Sequence, residues 1–79
     1  MRQKAEYRII ITYPSEYYYN GTHEDRLFTK IGYSDGSGMD DDERDHTYYR
    51  VTLDRAYKLA KKIKALRLRG LKLNIEEVR

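Results

Sequence analysis

Residues 6–13 read EYRIIITY, and the fold follows from taking them as an extended chain. Successive side chains of a strand point to opposite faces, so Tyr7, Ile9, Ile11 and Tyr13 share one side while Arg8, Ile10 and Thr12 share the other. One face is uniformly apolar or aromatic and the other is mixed, the pattern of a sheet buried on one side only. Pro14 ends the run, because proline has no N–H to donate to a ladder.

Moving along the chain, SEYYYNGTHED reads as a connection built around the turn dipeptide Asn20-Gly21. RLFTKIGY, residues 26–33, alternates again with Leu27, Thr29, Ile31 and Tyr33 together, which predicts a second strand. The polar DGSGMDDDERD follows, and HTYYRVTL, residues 46–53, groups Thr47, Tyr49, Val51 and Leu53 as a third strand. Two alternating runs around a glycine-rich, charged connection predict an antiparallel hairpin with a long tip.

At Thr52 the period changes from two to about 3.6, with Thr52 or Asp54 as the cap of a helix reaching about Arg69. Leu53, Ala56, Leu59, Ala60, Ile63 and Leu66 form its apolar stripe, and Lys58, Lys61, Lys62 and Arg69 project from the other side. Ala56 and Ala60 allow a close approach to the sheet, and Gly70 is placed to stop the helix in a left-handed conformation. LKLNIEEV, residues 71–78, then alternates as a closing strand.

The predicted order is βββαβ, an α+β domain over residues 1–79 with one helix on one face of a small, mainly antiparallel four-stranded sheet. The last strand should run parallel to the third and lie beside the first. On this reading the uncovered face carries Arg8, Ile10, Thr12, Phe28, Lys30, Tyr48, Arg50, Lys72 and Asn74.

Composition narrows the function classes. At 79 residues and with no cysteine, the chain has neither disulfides nor thiolate metal ligands, so apolar burial must supply its stability. No apolar run approaches the length of a membrane span, and MRQKAEYR lacks the apolar segment of a signal peptide, so the expected setting is soluble and cytoplasmic. The net charge is only +3, but Asp35 to Asp45 holds six acids against one base, while Arg55 to Lys72 holds eight bases and no acid. Such segregation biases partner choice and encounter rate. Nine of the ten aromatics are tyrosine, a residue that serves both half-buried sheets and binding surfaces.

Three groups of residues could carry function. Asp40, Asp41, Asp42, Glu43 and Asp45 are hard oxygen ligands, but their spacing departs from the EF-hand pattern, and neither a metal nor a cofactor is expected. A charge run of this kind is ordinarily solvated surface; the functional reading is a line of negative charge that occupies a basic groove in a protein partner, as a nucleic-acid backbone would. Tyr17, Tyr18 and Tyr19 are consecutive, so they cannot all enter one core, and exposed tyrosines suit interface anchors; the alternative is an irregular strand with one ring inward. Lys58, Lys61, Lys62 and Arg69, with Tyr48 and Arg50 on the bare face, form an alternative nucleic-acid surface of phosphate contacts beside stacking rings. His23 and His46 sit in polar segments and are read as surface residues, although His23-x-Asp25 and Asp45-His46 meet if their loops share one end of the sheet. No GxGxxG, GKS, GxSxG or HExxH arrangement occurs, so catalysis is not expected.

In its size, its DDDERD loop, its tyrosines and the helix TLDRAYKLAKKIKAL, the chain resembles the small cysteine-free α+β proteins of phages and mobile elements, including many anti-CRISPR inhibitors. The class has no diagnostic motif. The resemblance implies a viral protein that blocks a nuclease complex sterically, and it transfers no functional residue. The resulting expectation is a non-enzymatic binding protein that regulates a larger nucleic-acid-handling partner through the acidic loop and tyrosines. The alternative is a nucleic-acid-binding module.

Overall fold

The computed structural model describes residues 6–78; the N-terminal MRQKA lies outside them. The elements are β1 (Glu6–Pro14), α1 (Glu16–Tyr19), α2 (Thr22–Ile31), β2 (Gly36–Met39), β3 (Glu43–Val51), α3 (Leu53–Ala65) and β4 (Lys72–Val78). The four strands form one sheet in the order β2-β3-β1-β4, with every neighbouring pair antiparallel. The expected α+β class and four-stranded sheet are therefore present. Since β3 and β4 both run opposite to β1, they run parallel to each other, and β4 lies beside β1 as its pattern implied.

Ile9, Ile11 and Tyr13 of β1 are fully buried at the centre of the sheet, and one apolar cluster joins them to Leu27 of α2, Tyr48 of β3 and Ala56, Leu59 and Ile63 of α3. Both longer helices thus cover the same sheet face. Leu73 and Ile75 extend the cluster from β4, where they pair with Ile11 and Ile9. In α3 the side chain of Thr52 accepts from the Arg55 N–H at 3.2 Å and satisfies one of the free donors of the first turn.

Four local expectations are corrected. First, RLFTKIGY belongs to helix α2 and its exit. Asn20 Oδ1 accepts from the Thr22 N–H at 3.1 Å and the Thr22 hydroxyl at 2.8 Å, fixing the entry, and Glu24 and Asp25 complement the positive end of the helix dipole. His23 and Leu27, four residues apart, are its buried residues, with Phe28 and Ile31 partly buried beside them. Phe28 and Lys30 accordingly leave the bare sheet face. Second, the strand beside β3 is the glycine-bearing GSGM, Gly36–Met39.

Third, the phase of β3 is inverted over most of its length. His46 and Tyr48 face the core, while Thr47 and Tyr49 face away. Tyr7 pairs with Val51 but Ile9 pairs with Tyr48, so Tyr49 and Arg50 together oppose Arg8 in a bulge, and Arg50 takes a left-handed φ of 58°. The extra residue restores Val51 to the core side. Fourth, α3 ends at Ala65, with Arg67 left-handed at φ 52°; Gly70, at φ 73°, belongs to the turn before β4. Leu53 at the helix start is exposed.

Candidate functional site

The β2–β3 hairpin turns through Asp41 and Asp42. Neither residue has a positive φ, so this is not the usual two-residue hairpin turn that needs left-handed residues. The Asp40 carboxylate compensates: its Oδ1 accepts from the backbone N–H of Asp42 at 2.9 Å and of Glu43 at 2.7 Å. These two donated bonds favour the ionised form and hold the Asp40 carboxyl below its ordinary pKa. The tip is also tied to α1, since the Ser15 N–H donates to the Asp42 carbonyl at 2.9 Å and the Ser15 hydroxyl to the Asp41 carbonyl at 3.1 Å. Asp41 and Asp42 are thereby held by backbone atoms. Their carboxylates are exposed and form no ion pair among the described residues.

The predicted acidic residues do not form one surface. Asp40 braces the turn, and Asp41 and Asp42 point from its end. Glu43 and Asp45 lie on the bare sheet face, where Glu43 pairs with Lys72 at 3.6 Å and Asp45 packs over Gly38. The tyrosines lie on the helix-covered side of the same end. Tyr17 and Tyr18 are half-buried against the core, and Tyr19 is 74% exposed. They occupy one helical turn, so the alternative of an irregular strand does not hold and α1 takes its place.

Below α1 and α2 lies a polar seam that the sequence reading placed on the surface. His46 is completely buried and His23 nearly so. They flank Tyr13, with ring centroids 5.6 Å and 5.1 Å from it; the two histidines converge, but the acids read beside them do not, since Asp45 lies on the bare sheet face and Asp25 is exposed on α2. Burial, with Glu24 nearby, raises the Tyr13 hydroxyl to about 12, so it remains protonated, and it shares a hydrogen bond of 2.8 Å with His46 Nε2. On its other side His46 Nδ1 lies 3.4 Å from Ser34 Oγ. Burial, together with the Arg44 guanidinium, lowers the His46 pKa, although Glu24 and Asp45 oppose the shift. His23 Nε2 donates to the Arg69 carbonyl at 2.8 Å, and its ring stacks on Tyr17 at 4.2 Å with only 7° between the planes.

Arg44 crosses from this seam to the surface. Its Cζ lies 4.5 Å from the centroid of the Tyr18 ring, and its Nη2 reaches Glu24 Oε2 at 3.4 Å. Beyond that contact opens a cleft of about 470 Å³ lined by Tyr18, Tyr19, Glu24, Asp25, Phe28 and Tyr33. Phe28, Tyr33 and the two α2 carboxylates were not grouped from the sequence. Reading α2 as a helix would have grouped Glu24, Asp25 and Phe28 by their three- and four-residue spacing.

The alternative basic surface is divided. Lys58, Lys61 and Lys62 are exposed along α3, and the Arg69 and Arg50 side chains are exposed at other points. Tyr48 is withdrawn from that surface: it is buried, donates its hydroxyl to the Gly32 carbonyl at 2.7 Å, and is raised to about 12 by burial and by Asp35.

Among the described residues, no group of three or more His, Asp or Glu side chains is arranged to hold a metal ion. No helix there is long and apolar enough to cross a membrane. Comparison with known proteins gives no match: no family model, curated protein or solved structure corresponds to the chain.

Proposed function

We propose that this is a non-enzymatic binding protein that regulates a larger, nucleic-acid-handling complex by inserting the Asp41–Asp42 tip into a basic groove of its partner, with the exposed tyrosine side of the same end as a second contact. The observation that carries this reading is the tether between Ser15 and the tip. Two uncompensated carboxylates stand on a turn whose backbone is already ordered, so binding does not have to fix that loop. Opposed charge accelerates encounter and disfavours acidic competitors.

The test must leave the turn intact. Asp40→Lys would remove the acceptor of two backbone donors, whereas Asp41→Lys with Asp42→Lys changes charge alone. In a pull-down from the native host, the double variant should lose the partner captured by the wild type while keeping its circular dichroism spectrum. Unchanged capture would remove the tip from the reading.

A second reading, nucleic-acid binding by α3, is favoured by the exposed row of Lys58, Lys61 and Lys62, which has no ion-pair partner among the described residues. It predicts binding to labelled strands that weakens steeply as salt rises. The absence of such binding in fluorescence anisotropy would eliminate it.

A further inference from the structure

We propose that the cleft between α1, α2 and Tyr33 accepts the guanidinium of one arginine presented by the protein partner. This deepens the reading of a basic partner, but it concerns a different set of residues from the tip. The cleft walls are two aromatic pairs set edge to face: Tyr18 with Tyr19 at 5.4 Å and 73°, and Phe28 with Tyr33 at 5.2 Å and 67°. Tyr19 and Tyr33 are 74% and 84% exposed, so ring surface remains available on both sides. Glu24 and Asp25 sit between the pairs on the first turn of α2. Their position also suits the helix dipole, which accounts for the carboxylates but not for the rings around them.

The chemistry of the occupant follows from charge and shape. Glu24 already meets Arg44, while Asp25 forms no ion pair among the described residues, leaving the cleft with one negative charge in excess. A single cation neutralises it, and negative ring faces favour a cation over an anion or a neutral group. A planar guanidinium can stack on a ring while donating to a carboxylate, which an ammonium does less well. The molecule contains this arrangement once already, in Arg44 lying over Tyr18 and reaching Glu24. The open side of the cleft offers the same kinds of partner, an exposed ring and a carboxylate.

The probe is N-acetylarginine amide, titrated into the intact, isotope-labelled protein at low salt and followed by amide chemical shifts. Saturable shifts should centre on Tyr19, Asp25 and Tyr33. N-acetylcitrulline amide, which keeps the shape without the charge, should bind at least about fivefold more weakly, as should Asp25→Asn or Tyr33→Ala protein toward the arginine probe. Both substituted residues are exposed, and an otherwise unchanged amide spectrum verifies the fold. Equal response to citrulline, equal affinity for the lysine analogue, or shifts centred on Asp41 and Asp42 would each overturn the assignment. The tip double variant leaves the cleft untouched, so loss of partner capture there and loss of arginine binding here are separate failures.

Discussion

The two halves of the covered sheet face are built on different principles. Under α3 the contact is apolar throughout, with Ala56, Leu59, Ala60 and Ile63 against the Ile9 and Ile11 side of β1. Under α1 and α2 it is a chain of polar groups: Tyr13, His46, His23, Arg44 and Glu24, with His23 Nδ1 and Arg44 Nε buried and lacking a hydrogen-bond partner among the described residues. The apolar half derives its stability from area removed from water, which tolerates small shifts and ignores pH. The polar half contributes little net energy per bond, yet each bond is costly to leave unmade. Stability should therefore reside mainly under α3 and chemical sensitivity mainly under α1 and α2.

The strongest challenge to that division is Ile63→Ala. Ile63 is completely buried, so its truncation should cost about 2 to 5 kcal/mol, including the cavity term. Urea unfolding followed by circular dichroism measures the loss, and its size should not vary between pH 7 and pH 5. A loss well below 2 kcal/mol would place the main stabilising contact elsewhere.

Tyr13→Phe probes the other half. The ring and its packing stay, but the buried His46 Nε2 loses its hydrogen-bond partner, and the expected cost is about 1 to 3 kcal/mol. The same urea experiment measures it, and an unchanged midpoint would mean that the buried imidazole has found another partner.

The smallest effect sharpens the contrast through pH. The folded-state pKa of His46 is depressed below the ordinary 6.5, so below that value the unfolded chain binds more protons than the folded one. The contribution is complete above about pH 6.5 and is lost as pH falls toward the depressed folded value. The urea midpoint of the wild type should decline from pH 7 to pH 5, and His46→Phe should flatten that decline. An equal slope in the variant would exclude His46 as its source. Asp40 adds a loss of the same sign only at lower pH, below its ordinary 3.8.

The same division explains what was legible in the sequence. β1, α3 and β4 follow from simple periodicities because they bury apolar side chains at regular spacing. α2 was obscured because Leu27, Thr29, Ile31 and Tyr33 mimic alternation, while its inward residues include His23, which no apolar pattern counts. β2 was hidden by composition. Glycine is a poor strand former, yet a Cβ at Gly38 would lie 3.1 Å from Asp45 Oδ2 and one at Gly36 3.3 Å from the Tyr49 ring, so side chains of the neighbouring strand fill the space. The inverted phase of β3 depends on the bulge at Arg50, a backbone conformation that arginine does not announce. At the hairpin end, the exposure of Asp41 and Asp42 and of one of the three consecutive tyrosines follows from charge and crowding. The grouping of the cleft residues of α2 was not legible, because they become neighbours only once that segment is helical.

The fastening of the hairpin has a practical corollary. The atoms that anchor positions 41 and 42 belong to the backbone, and the carboxylate that braces the bend is that of Asp40. Shape and identity are thus separable at this spot: two adjacent side chains can be rewritten while their mounting stays the same, which makes the turn a natural display platform for retargeting the molecule to a groove of different chemistry.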